Sequence, residues 1–214
     1  MKKIYFLGDS ITEGAGSDGP ETTYVIQVEK LTGLYCVNYG LGGTCVAKNK
    51  TRLDWVTYNK DFISRSIDMG NDPDYVFVFG GTNDYGHGDA PFGGIDNDDP
   101  YTFYGALNVL ISCLISRYGK DKICFILPLP RFNMSSPYGE NKKTKSHTLN
   151  EYIEAMKKVL SKYDIPYIDL SSVFKEPKDT FNSGLYFDGL HPNVAGHLEI
   201  AKSIATYLKK LSLY

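Results

Sequence analysis

A serine follows a short apolar run near the start of the chain. Residues 4–7 are too few for a helix and predict a buried strand, and Gly8 permits a sharp turn directly before Ser10. In open α/β sheets, ligands bind beyond the carboxyl ends of the strands, which is where Ser10 would lie. Its hydroxyl could act as a nucleophile with backbone N–H donors beside it, or Ser10 could simply cap the following helix.

An aspartate and a histidine stand three residues apart before the last helical pattern, as Asp188 and His191. A histidine so placed can take the proton of a serine hydroxyl and return it to a leaving group, while the aspartate fixes the imidazole tautomer. The spacing could also be half of a metal site, but no other His or Cys stands at ligand spacing near it. The pair therefore favours Ser10, His191 and Asp188 as a catalytic triad.

Two further segments follow predicted strands and offer hydrogen-bond donors for a developing oxyanion. Residues 38–44 contain Gly43, whose N–H could be open to a ligand, and residues 80–84 contain Asn83, whose side-chain amide can donate. With the N–H of Ser10, these groups would form an oxyanion hole. Alone, the glycines could be only a turn and Asn83 only a cap. Four such segments in order, each next to a strand end or helix start, predict acyl transfer.

Strand-like runs alternate with helix-like stretches from end to end. Three of the five runs are almost wholly apolar, as in parallel strands covered on both faces. The alternation predicts an α/β fold: a three-layer α/β/α sandwich with a flavodoxin-like, mainly five-stranded parallel sheet, in one domain over residues 1–214. The predicted strands are 4–7, 34–37, 75–79, 123–127 and 167–170, and the predicted helices are 22–31, 53–67, 103–118, 149–163 and 194–211.

Two long loops, residues 84–100 and 128–143, follow the third and fourth predicted strands. Loops of this length are often functional, and these should overhang the sheet edge on which Ser10 lies. Their aromatic and polar residues would suit a polar, sugar-like alcohol, and no long apolar lid is present. The candidate substrate contacts are Asp9, Tyr85, His87, Arg131 and Tyr138.

Other polar groups carry ordinary interpretations. The acidic run 96–99 lacks the glycine and glutamate of a calcium-binding EF-hand loop, so it predicts no such site. Residues 142–145 are interpreted as a solvated helix start, His147 as part of a helix start and His197 as a residue on a helix surface.

Composition limits the partners. The chain has 214 residues, a formal net charge of -2 and a pI near 6.1, which gives no reason to expect nucleic acid or an anionic membrane as partner. Its four cysteines form no CxxC pair, and no apolar run approaches the length of a membrane span. The apolar run at the start is too short for a signal peptide. We therefore expect a reduced, cytoplasmic protein without metal, whose oligomeric state the sequence leaves open.

Four ordered blocks make the chain resemble the SGNH hydrolase superfamily, also called GDSL lipases and esterases. The blocks are residues 8–10 (GDS), 38–43, 81–84 (GTND) and 188–191 (DGLH). The resemblance implies the three-layer α/β fold, Gly43 as the oxyanion glycine, no cofactor, and hydrolysis of esters through a serine acyl-enzyme. The GxSxG elbow of α/β-hydrolases is absent.

The resulting hypothesis is a serine esterase that removes small acyl groups, acetyl above all, from a small-molecule ester. A carbohydrate O-deacetylase is preferred among such enzymes because of the loop composition. Three alternatives remain open: an acyltransferase, a thioesterase on the same residues, or a flavodoxin-like binding module without catalytic activity. In the last case, Ser10, Asp188 and His191 would lie far apart, or His191 would point into the core.

Overall fold

The computed structural model describes residues 1–50, 60–140, 142, 144–181 and 183–214. Strands and helices alternate along the chain, as the sequence predicts. In chain order they are β1 (Lys3–Gly8), α1 (Ser10–Glu13), α2 (Tyr24–Thr32), β2 (Tyr35–Gly40), α3 (Phe62–Ile67), β3 (Tyr75–Phe79), α4 (Thr82–Gly86), α5 (Phe103–Tyr118), β4 (Ile123–Ile126), α6 (Leu149–Lys162), β5 (Tyr167–Ile168) and α7 (Val194–Lys210).

The five strands form one parallel sheet in the order β2-β1-β3-β4-β5. The chain runs from β1 to the β2 edge and then returns to β3 on the other side of β1. This reversal opens a crevice at the carboxyl ends of β1 and β3, which is where open α/β sheets bind ligands. Gly8 at the end of β1 pairs with Gly40 and with Phe79, so all three strands end level at this edge.

Alternate residues of each strand pack on opposite faces of the sheet. Tyr5 and Leu7 of β1 belong to an apolar cluster with α3, α5 and α6, whereas Ile4 and Phe6 pack with α2 and α7. Because both faces are covered, the central strands β1, β3 and β4 are buried and almost wholly apolar, whereas the edge strands β2 and β5 are partly exposed. The predicted three-layer α/β/α architecture is confirmed.

Most of the predicted elements form close to their predicted bounds. The weak helix predicted over 22–31 is α2, and β2 continues to Gly40, beyond the predicted 34–37. The helix predicted over 53–67 is present as α3 from Phe62; residues 53–59 lie outside the described part of the chain. No helix among the described residues is both long and apolar enough to cross a membrane.

The prediction of a helix start at residues 142–145 is wrong, whereas Thr144 and Lys145 are exposed as predicted and Lys143 lies outside the described residues. Helix α6 begins later, where Thr148 and Glu151 form a reciprocal capping box. Lys142 is partly buried, and its Nζ donates to the backbone oxygen of Asp84 at 2.7 Å and to the hydroxyl of Tyr152 at 3.2 Å. This lysine therefore ties the second long loop to α4 rather than projecting into solvent.

Candidate active site

The turn after β1 places Ser10 at the start of helix α1. Asp9 is the N-cap of this helix, and its Oδ1 accepts the N–H of Ile11 at 3.0 Å. The alternative that Ser10 is only an N-cap is therefore wrong, and its hydroxyl remains available for another partner. A side chain at position 8 would come within 1.8 Å of the Thr12 hydroxyl, which explains the glycine before this turn.

The hydroxyl of Ser10 contacts a histidine 181 residues further along the chain. Ser10 Oγ lies 2.9 Å from Nε2 of His191, and Nδ1 of the same ring lies 2.7 Å from Oδ2 of Asp188. The other carboxylate oxygen, Oδ1, accepts the backbone N–H groups of Leu190 and His191 at 3.0 and 2.7 Å. The structure thus joins the three residues in one hydrogen-bonded chain.

The carboxylate of Asp188 carries a stabilised negative charge. Partial burial opposes its ionisation, but the His191 ring, the backbone N–H groups and the imidazole charge together lower the pKa of Asp188 to about 2. An ionised carboxylate at Nδ1 favours the tautomer that carries its proton on Nδ1. The lone pair of Nε2 then faces the hydroxyl of Ser10, as a general base requires.

The predicted oxyanion donors lie in segments that contact each other. Gly43 has a φ of 72°, a left-handed conformation that favours glycine. A side chain on the preceding Gly42 would lie 3.7 Å from Cβ of Ser10, so this loop passes beside the serine. The Nδ2 of Asn83 donates to the backbone oxygen of Thr44 at 2.9 Å, and a side-chain amide has a second hydrogen to donate.

Asp84, which the sequence places only within the block 81–84, fixes the chain just after the glycine-rich segment 38–44. Its two oxygens accept the N–H groups of Val46 and Ala47 at 2.8 and 2.9 Å. Burial raises the pKa of Asp84 to about 6 against these hydrogen bonds. In the sequence, only the position of Asp84 directly after Asn83 points to this role.

Contrary to the prediction, three of the candidate substrate contacts, Asp9, Tyr85 and Arg131, are internal. Tyr85 is 1% exposed, and its hydroxyl donates to the backbone oxygen of Asn133 at 2.7 Å. Arg131 is 5% exposed, donates to the Thr82 hydroxyl at 3.1 Å and forms an ion pair with Glu140. Both polar groups fix the long loop against α4, so neither is open to a bound molecule.

The remaining predicted contacts differ in exposure. Tyr138 is 49% exposed, and His87, the C-cap of α4, is partly buried, which lowers the pKa of its ring. Asp9 is almost completely buried, so its carboxylate faces the protein interior rather than a substrate. Contact of Tyr138 and His87 with substrate stays a prediction.

His197 is not a helix-surface residue as predicted, because its side chain is fully buried. Its Nδ1 accepts the N–H of Tyr24 at 3.2 Å, and its Nε2 donates to the backbone oxygen of Ala15 at 3.1 Å. A side chain at the neighbouring Gly16 would come within 3.2 Å of Cβ of His191. His197 therefore stabilises the loop that packs against His191.

The buried carboxyl of Asp9 predicts a pH-dependent stability. Its Oδ2 has no hydrogen-bond partner among the described residues, and burial raises the pKa of Asp9 from 3.8 to about 6. The pKa of Asp9 is higher in the folded state than in the unfolded state. The contribution of this carboxyl group to the free energy of unfolding is therefore fully present below pH 3.8 and is lost as pH rises through about 6. In an Asp9→Asn variant, the side chain at position 9 cannot ionise. As pH rises from about 4 to about 7.5, the free energy of unfolding of this variant should therefore fall by on the order of 2–3 kcal/mol less than that of wild type.

Urea unfolding of both proteins at the two pH values measures this difference. Asp98→Asn is the matched control, since Asp98 is exposed, and its pH dependence should follow that of wild type. Asp84 should act in the same direction as Asp9, whereas Asp188, with its lowered pKa, contributes stability that is lost only as pH falls toward about 2. An equal pH dependence in Asp9→Asn and wild type would show that Asp9 does not titrate in this range.

A three-layer α/β fold is typical of ester hydrolases when a serine at the carboxyl end of a strand is hydrogen-bonded to a histidine that is paired with an aspartate. The chain belongs to the GDSL-like lipase/acylhydrolase family, whose model matches residues 6–198. It is a carboxylester hydrolase by this membership and by its similarity to a curated esterase. No group of three or more His, Cys, Asp or Glu side chains in the described part could hold a metal ion.

The chain is similar to one curated esterase and shares its fold with two solved structures. An acetylxylan esterase of Geobacillus stearothermophilus is 26% identical over 219 residues, which cover 94% of this chain and 91% of that protein. A crystal structure of a protein from Lactobacillus plantarum is similar with a TM-score of 0.74 and 26% identity, covering 98% of this chain and 97% of the other. A carbohydrate acetylesterase from Sinorhizobium meliloti shares the fold, with a TM-score of 0.68 and 13% identity over 99% of this chain and all of its own.

Proposed function

We propose that the protein is a serine esterase that removes small acyl groups, acetyl above all, from a carbohydrate alcohol. The observation that carries the proposal is the hydrogen-bonded chain from Ser10 Oγ through the His191 ring to Asp188, with separations of 2.9 and 2.7 Å. Ser10 is the nucleophile, His191 the general base and acid, and Asp188 the group that orients the imidazole.

The reaction proceeds in two halves. Ser10 Oγ bonds to the carbonyl carbon of the ester while Nε2 of His191 takes the hydroxyl proton, and the carbonyl oxygen becomes an oxyanion. That oxyanion receives hydrogen bonds from the N–H groups of Ser10 and Gly43 and from the amide of Asn83. The bond to the alcohol oxygen then breaks, and the alcohol leaves with the proton from His191.

Water completes the cycle. His191 removes a proton from a water molecule, whose oxygen bonds to the acyl carbon of the acyl-enzyme. The second tetrahedral intermediate uses the same three donors. When it collapses, the bond to Ser10 Oγ breaks, Oγ recovers its proton from His191, and the carboxylic acid is released.

The carbohydrate alcohol is supported by the similarity to an acetylxylan esterase and by the loops of this chain. Tyr85 and Arg131 no longer support it, because both are buried and engaged inside the protein. The exposed ring of Tyr138 and the partly buried ring of His87 remain as candidate contacts for a sugar.

Substrate comparison tests the proposal. We expect acetylated xylo-oligosaccharides and 4-nitrophenyl acetate to be hydrolysed with a higher kcat/KM than 4-nitrophenyl palmitate. A Ser10→Ala preparation purified in parallel controls for contaminating esterases. A preference for the long acyl chain would contradict the proposal. The alternative function, an acyltransferase, is tested by adding methanol or xylose. A transferase would give acyl transfer products in preference to the free acid.

A further inference from the structure

A buried arginine lies beneath the catalytic edge of the sheet. Arg65 of α3 is 9% exposed, and its guanidinium donates four hydrogen bonds to three separate parts of the chain. The acceptors are the backbone oxygens of Lys60 at 2.8 Å, Tyr39 at 2.7 Å and Gly8 at 2.8 Å, and the hydroxyl of Thr44 at 2.9 Å.

Three of these acceptors, Gly8, Tyr39 and Thr44, belong to the segments that carry the proposed chemistry. Gly8 ends β1 two residues before Ser10, and Tyr39 lies near the end of β2. Thr44 follows Gly43 directly, and its backbone oxygen accepts the amide of Asn83. One Nη atom of Arg65 thus contacts both the serine turn and the glycine loop.

The chemistry of arginine suits this position. A guanidinium is planar and presents five donors in a fixed geometry, whereas a lysine ammonium has three donors on a flexible stem. Burial lowers the pKa of Arg65 to about 10, against the nearby carboxylates of Asp9, Asp61 and Glu13, so the side chain stays charged at neutral pH. The ring of Phe62, 4.8 Å from the guanidinium carbon, closes one face of it.

We propose that Arg65 is a positioning residue. Its guanidinium binds both Gly8 and Thr44, and in this way it sets the separation between Ser10 and the two oxyanion donors, Gly43 and Asn83. The inference rests on the proposed function of Ser10, Gly43 and Asn83. Arg65 contacts no reacting atom, so its effect must appear in transition-state stabilisation and not in substrate binding.

Arg117 of α5 provides a matched control. Its guanidinium also binds backbone oxygens, those of Ser66, Ile67 and Met69, and the side chain of Asn71. Those acceptors precede β3 and lie at the amino edge of the sheet, opposite Ser10. Ser66 and Ile67 belong to α3, so replacing Arg117 by lysine disturbs the same helix but removes no hydrogen bond to Gly8 or Thr44.

The experiment compares Arg65→Lys, Arg117→Lys, Ser10→Ala and wild type with 4-nitrophenyl acetate, with Tm measured for each. We expect Arg65→Lys to lower kcat about 10- to 100-fold with little change in KM, because a displacement near 1 Å costs that much. Arg117→Lys should lower Tm similarly and leave kcat unchanged.

A second readout isolates the oxyanion donors. A 4-nitrophenyl alkylphosphonate phosphonylates an active serine, and its phosphonyl oxygen then occupies the oxyanion position. Its rate should fall in Arg65→Lys in proportion to kcat, and should stay at the wild-type value in Arg117→Lys. A purely structural role for Arg65 would lower Tm without lowering this rate in the folded protein.

Three results overturn the inference. The first is an equal kcat in folded Arg65→Lys and Arg117→Lys. The second applies if Arg65→Lys does not fold. Thr44→Val removes the hydroxyl that accepts from Arg65 and donates to the backbone oxygen of Leu41 at 2.7 Å, but it keeps the backbone oxygen that binds Asn83. Wild-type kcat and phosphonylation in this variant refute the proposal. The third is a wild-type protein without turnover, or a Ser10→Ala variant with full turnover, which refutes the proposed function and this inference with it.

Discussion

Replacing Ser10 by alanine should abolish ester hydrolysis while leaving the fold intact. Without Oγ there is no atom to form the acyl-enzyme, and we expect kcat to fall by on the order of 10⁴-fold or more. The helix cap is supplied by Asp9, so the variant loses only the hydrogen bond to His191, worth about 1 kcal/mol. Hydrolysis of 4-nitrophenyl acetate, with circular dichroism on both proteins, measures the two effects.

Ser203→Ala is the matched control for this substitution. Ser203 lies on α7, and its hydroxyl donates to the backbone oxygen of Glu199 at 2.9 Å, far in sequence from Ser10 and outside the proposed site. The control variant should keep wild-type kcat. Residual turnover of a folded Ser10→Ala protein close to the wild-type rate would exclude the acyl-enzyme mechanism.

Replacing Asp188 by asparagine should also be severe, because it changes the proton position on His191 without disturbing the loop. The remaining oxygen can still accept the N–H groups of Leu190 and His191, as Oδ1 does now. The new amide would donate to Nδ1, forcing the imidazole proton onto Nε2, which then cannot accept the proton of Ser10. We expect kcat to fall by about 10⁴-fold at neutral pH.

Asp99→Asn is the matched control, and it tests whether replacing a turn aspartate by asparagine is enough to lower kcat. Oδ1 of Asp99 accepts the N–H of Tyr101 at 3.0 Å, the same turn geometry without an imidazole partner. This variant should retain wild-type kcat, and both variants should give the wild-type circular dichroism spectrum. If Asp188→Asn kept most of its activity, Asp188 would not be the group that selects the tautomer of His191.

The Ser10→Ala and Asp188→Asn variants both test the alignment of groups that come from opposite ends of the chain. His191 is held on its far side by Asp188 and is flanked by the loop at Gly16, which His197 stabilises. Ser10 is fixed by the cap at Asp9. Each member of the proposed triad is therefore positioned by a buried or hydrogen-bonded neighbour, and loss of a neighbour should lower kcat less than loss of the member itself.

The sequence by itself determined the layers of the fold and the order of the site segments. Continuous apolar runs predict strands covered on both faces, and spacings of three and four predict the helices that cover them, because both patterns follow from local backbone geometry. Parallel strands joined by helices bring their carboxyl ends to one edge. For that reason, Ser10, Gly43 and Asn83 could be assigned to the same region from the sequence.

Only the tertiary structure decided which polar side chains face the site and which are internal. Tyr85, Arg131 and His197 stand in segments that sequence patterns describe as loop or helix surface, yet all three are buried with hydrogen-bonded polar groups. Arg65 carries no motif, and it still binds both the end of β1 and the segment 38–44 at the catalytic edge. The hydroxyl of Tyr85 donates to Asn133, Arg131 donates to Thr82 and His197 donates to Ala15, which lie 48, 49 and 182 residues away in the sequence. A buried polar group is stable only with such partners, which local sequence cannot supply.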